Sequence, residues 1–182
     1  MSIYYLIASL PALDMETAPA LTPDAFAGLC REQLTPADAD AAAALVAGHD
    51  ADHPFVRDWH DRDTLLRNAV ARQRAVRRAI DPAPHQKPTI GCDLRIEREV
   101  DAAFQAPDPL QRERVLDRIR WRVADELQGP DPMTARAALA YAVKLRIACR
   151  WAALTPGMGR AAVAKLLDIP IDLHDHARTK QA

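Results

Sequence analysis

Again and again in this sequence a capping residue is followed at once by proline, as at Thr22-Pro23, Thr35-Pro36, Asp108-Pro109, Asp131-Pro132 and Thr155-Pro156. A Thr or Asp side chain accepts one of the orphan N–H groups that open a helix, and proline at the first helical position gives up a donor that has no partner there. Gln111, three residues after Asp108, adds a capping-box spacing. His53-Pro54 opens a further helix with a poorer cap. These signals predict helices over about 23–33, 36–47, 54–80, 93–105, 109–128, 132–153 and 157–167, starting within two residues of each capping residue. The expected fold is all-α, a compact multi-helix bundle with no sheet of three or more strands.

The apolar faces agree. The 54–80 helix carries Phe55, Trp59, Leu66, Val70 and Ile80, flanked by Val56, Ala69 and Val76, over a length of about 40 Å. The 109–128 helix places Leu116, Ile119, Val123 and Leu127 on one side. The 132–153 helix is apolar nearly all round, which predicts a central position. Alanine is abundant and aromatics are only 5% of the chain, so the helices should pack closely.

A length of 182 residues suits a single domain over 1–167, with a possible subdivision at the irregular linker 81–91 and a polar tail over 168–182. The opening "SIYYLIASLPAL" has no basic region ahead of it, and its apolar run ends at Pro11, short of the roughly 20 residues a membrane helix needs. It is therefore expected to be an extended or short helical segment packed into the core, in a cytoplasmic protein without direct membrane insertion. Cys30, Cys92 and Cys149 form no CxxC and are expected to be reduced and mostly buried.

With a formal net charge of −1 there is no global field to attract nucleic acid or anionic lipid. "LLRNAVARQRAVRRA", 65–79, is the densest basic run, but the aromatics of its helix lie on the apolar side, so it reads as a solvated face. "HDADHPFVRDWHDRD", 49–63, holds three histidines among five aspartates. A metal hydrolase of the HD type would need ligands on separate helices and a histidine upstream, and none precedes His49. This stretch reads as a loop and first helical turn, and "HDH" at 174–176 is weaker still. No cofactor, metal or catalytic residue is expected, since no nucleophile–base pair or phosphate-cradling glycine loop is present.

Two groups of residues stand out instead. Asp63 lies about 40° from the Trp59–Leu66–Val70 line, so its carboxylate should be largely buried and paired with Arg67 or Arg74 on the same flank. Trp121 lies about 140° from Leu116, almost opposite the inner face of its helix, and shares that side with Arg114 and Arg118. If exposed, these three mark a candidate partner interface.

"YYLIASLP", Tyr4 to Pro11, resembles the start of an uncharacterised bacterial family encoded in V/A-type ATPase operons. "WHDRDTLLRNAVARQRA", 59–75, is similar to that family's Trp, acidic, Leu-Arg and Arg-Ala spacing, at Trp59, Asp63, Leu66, Arg67 and Arg74. "YAVKLRIACRWAALTPGMG", 141–159, resembles its Tyr-x-x-Lys-Leu helix with a following Arg-Trp and Gly. The stretch 20–45 is similar to a pattern in the ATPase central-stalk connector subunit, called C or d, although those subunits are longer and have three repeated modules. The resemblance implies a non-enzymatic helical subunit or assembly accessory of a V/A-type ATPase, with stalk subunits as partners. Two other classes stay open at this level: a regulator binding nucleic acid through the 65–79 and 112–122 arginines, and a His/Asp metal hydrolase built on 49–63.

Overall fold

The computed structural model describes residues 3–89 and 91–167. Its elements are α1 (Ile3–Ser9), α2 (Pro23–Gln33), α3 (Pro36–Ala47), α4 (Pro54–Arg78), a single 3-10 turn (Ala83–His85), α5 (Leu94–Phe104), α6 (Pro109–Gln128), α7 (Ala135–Ala153) and α8 (Pro156–Leu167). The architecture is all-helical, with no strand among the described residues. No helix among them is long and apolar enough to cross a membrane. The expected tail over 168–182, with its HDH, lies outside the described residues.

The cap-plus-proline signals act as local chemistry requires. Thr22 and Thr35 accept from the N–H of Ala25 and Asp38, each at 3.2 Å. Asp108 accepts from Leu110 at 3.0 Å, and Thr155 from Met158 at 3.3 Å. His53 caps α4 through its ring, with Nδ1 accepting from Phe55 N–H at 3.1 Å. Asp131 departs from the expectation. Its carboxylate accepts from Met133 N–H at 2.9 Å, closing a turn two residues on, and α7 opens only at Ala135 after Thr134. The same i+2 bond opens α6 at Asp108 but only closes a turn here.

α7 is the central helix. It buries ten residues from Ala137 to Ala148 and packs on α3, α6, α1 and α2. Ala39, Ala41 and Ala42 of α3 face this helix region with almost no exposed surface, and side chains this small let two backbones approach closely. α4, α5 and α6 form the other half, and one apolar core runs through residues of both halves, from Leu6 to Ile147.

One expectation about the core is corrected and another holds. α4 ends at Arg78, and Val76 and Ile80 are exposed, because the core stops at Ala75 and nothing covers residues 76–80. The apolar opening is the expected short helix packed into the bundle, with Leu6 in the core and Ile7 and Leu10 against it, while Tyr4 and Tyr5 are 63% and 68% exposed. Its exit is tied down as well: the Tyr141 hydroxyl donates to the Pro11 carbonyl at 3.0 Å, and the Tyr141 ring lies 5.3 Å from that of Phe26. The linker is tied back to α4 in the same manner. Buried Asn68 donates to the Lys87 carbonyl at 2.8 Å and accepts from Lys87 N–H at 2.9 Å.

Candidate functional site

Asp63 on α4 is 7% exposed and sits between two arginines. Arg67 Nε reaches it at 2.7 Å, one helical turn on, and Arg120 Nε of α6 at 2.8 Å. Arg74, the other expected partner, is not there. It shares the flank but stands eleven residues along, about 16 Å up the axis, and faces Glu113 at 3.8 Å instead.

Arg120 extends the pair into a chain. Its Nη1 donates to Asp117 at 2.9 Å, and the other oxygen of Asp117 accepts from Arg150 Nη2 at 2.5 Å and from the Trp151 indole N–H at 2.8 Å. Asp117 is 2% exposed. Burial alone would lower the pKa of Arg120, but the carboxylates of Asp63 and Asp117 outweigh it and hold the group above its ordinary value. The result is an alternating series, Arg67–Asp63–Arg120–Asp117–Arg150, joining α4, α6 and α7. Each buried carboxylate is met by two cations, which is the condition for keeping charge out of water at tolerable cost.

Sequence reasoning found Asp63 and missed Asp117, Arg120, Arg150 and Trp151 as its extended network. A signal for Arg120 was present. It lies about 40° from Leu116, the same offset that marked Asp63.

Above this network, α3, α4, α6 and α7 line a solvent-open cavity of 570 Å³, bordered by Trp59, His60, Arg146 and the network residues. Among the described residues no group of three or more His, Cys, Asp or Glu is gathered closely enough to hold a metal ion. The histidines of 49–63 have separate surroundings: His53 caps α4 and contacts Asp38 at 3.2 Å, and His60 Nε2 stands 3.6 Å from Asp50, beyond hydrogen-bond reach.

The basic run is largely engaged within the molecule. Arg72 bonds Gln86 and Glu97, Arg77 bonds the Phe104 carbonyl, and Arg122 on α6 bonds Glu99 and Glu126. On the outer side of α6, Arg114 and Arg118 converge on one carboxylate, Glu16, at 3.4 and 3.6 Å. Trp121 is half-buried. It shares a groove with Leu13, Met15 and Glu16, and Lys144 Nζ stands 5.8 Å from its ring. The chain's own segment after α1 thus reaches across part of the face where a partner was expected.

Of the thiols, only Cys30 is fully buried, and burial pushes it up to about 12 against a weaker opposing effect of Arg31. Cys149 is half-buried and also raised by burial. Cys92 is exposed, contrary to expectation, because it lies in the polar connection before α5 where no helix covers it.

No family model matches the chain, and neither the curated proteins nor the solved structures provide a match.

Proposed function

We propose that this protein is a non-enzymatic helical subunit or assembly accessory of a bacterial V/A-type ATPase, acting on the cytoplasmic side in the manner of a stalk connector. One observation carries the reading beyond the motif resemblance itself. The three separated motifs meet in space as fasteners of a single bundle. Tyr141 of the third bonds Pro11 of the first, and Arg150 and Trp151 of the third reach Asp63 of the second through Asp117 and Arg120. Residues used in this way supply rigidity, and a part that transmits torque or holds neighbours in register needs rigidity rather than a reaction centre. The partner face would be the outer side of α6, with Trp121, Arg114 and Arg118 as its centre, because large aromatic and guanidinium groups contribute most to hot spots.

The test is co-expression of the tagged chain with the stalk subunits of the rotary ATPase from the same genome. Stalk subunits should co-purify, and Trp121→Ala should remove them while the melting temperature stays within a few degrees. Absence of stalk subunits from the wild-type eluate would sink the proposal. Retention of stalk subunits by Trp121→Ala would move the interface off α6.

A further inference from the structure

The cavity above the arginine–carboxylate series has cationic capacity that the fold does not use. Its lining contains four arginines, Arg67, Arg120, Arg146 and Arg150, against three carboxylates, Asp63, Glu113 and Asp117. Arg120 is consumed by the two aspartates. Arg146 is exposed and has no acidic partner among the described residues, and its guanidinium lies close over Gly48: a Cβ built there would meet its atoms at 2.3–2.8 Å. Gly48 has φ +76 and ends α3, so the cation rests on bare backbone. The nearby α3 carbonyls of Ala44 and Leu45 accept from the N–H groups of Gly48 and His49.

The neighbouring arginines leave donors over as well. Arg67 spends Nε on Asp63, and Arg150 directs Nη2 at both Asp117 and Glu113, leaving the remaining terminal nitrogens of each. His60 adds a buried Nε2 with no hydrogen-bond partner. A carboxylate offers two oxygens and one charge; a phosphate, with three terminal oxygens and up to two charges, is the better match for three guanidinium groups and an imidazole. Leu45, Trp59, Val143 and Ile147 supply an apolar wall, and the volume of 570 Å³ is in the range of small-molecule sites.

We infer that this cavity binds a small phosphate ester, its phosphate on Arg146, Arg150, Arg67 and His60 and its organic part against Trp59. The inference does not depend on the ATPase reading.

Isothermal titration of the full chain with phenyl phosphate tests it, with benzoate as the matched carboxylate. Phenyl phosphate should bind saturably at one site, with benzoate weaker by about tenfold or more. Arg146→Gln should weaken phenyl phosphate by about tenfold, whereas Arg98→Gln, the same charge change on the exposed side of α5, should leave it unchanged. Arg146→Lys keeps the charge and loses the planar fork, and it should fall between the two. No saturable binding by the wild type overturns the inference. So does equal binding of benzoate, unchanged binding in both Arg146 variants, or a loss in Arg98→Gln as large as in Arg146→Gln.

Discussion

On its inner side α6 sets Asp117 against Arg120, Arg150 and the indole N–H of Trp151; on its outer side it presents Arg114 and Arg118 to Glu16, and Trp121 to Lys144. Both sides combine arginine, carboxylate and tryptophan, and both reach residues far away in sequence. Depth separates them. Inside, each carboxylate oxygen is met by a protein donor, because groups so little exposed need partners from the protein. Outside, Glu16 is half exposed and its arginines stand at 3.4 and 3.6 Å, so water and salt share the charge. Similar chemistry therefore supplies structural specificity on one side and only a loose strap on the other.

The comparison breaks most visibly if a buried carboxylate is removed. Asp117→Ala leaves Arg120 and Arg150 facing a gap, and Asp63→Ala leaves Arg120 half-compensated; each should cost about 3–5 kcal/mol. Asp61→Ala, on the exposed side of α4, should cost less than about 0.5 kcal/mol. Urea unfolding of the three variants measures this, and equal midpoints would mean that depth makes no difference.

Alkaline titration gives a second, smaller contrast. The Cys30 thiol, ordinarily at 9.0, is pushed up to about 12 in the fold, so the folded chain holds the proton more tightly than the unfolded chain. The stability this contributes is complete below pH 9.0 and is lost progressively as pH rises toward about 12. Wild-type unfolding midpoints should therefore fall between about pH 8 and about pH 10, and Cys30→Ala should show a shallower fall. Parallel slopes would show that the thiol is reached by solvent. Tyr141, also pushed up to about 12, adds to the loss only from its ordinary value of 10.0 upward and is common to both proteins.

The smallest effect belongs to the outer side. Glu16→Gln should change stability by no more than about 0.5 kcal/mol, and high salt should erase even that. A loss comparable to Asp117→Ala, measured in the same urea series, would show that the strap is as tightly integrated as the core.

Much of the helix pattern was legible in the chain. Thr22, Thr35 and Asp108 mark helix starts because a cap bonds an N–H two or three residues away, a distance the sequence itself fixes. Asp131 misled for an equally local reason: the same carboxylate can close a turn or open a helix, and the chain around it chose the turn. At the candidate site, Asp63 was legible from its angle on α4, and Arg67 from its i+4 spacing. The cavity, with Arg146 resting on Gly48, left no trace in spacing, since those two residues meet only when α7 crosses the end of α3.

By itself the sequence determined that this chain is a bundle of capped helices, where most of them begin, and which carboxylate on α4 would be taken from water. Those properties follow from bonds within a few residues and from the 3.6-residue period. The tertiary structure alone decided that Arg120, 57 residues from Asp63, completes the pair, and that Asp117 and Trp151 extend it. It also decided that Val76 and Ile80 stay in water and that Glu16 crosses the outer face of α6. A buried charge requires a counter-charge but does not specify which one, and only the packing of α4, α6 and α7 brings one arginine within reach of both aspartates.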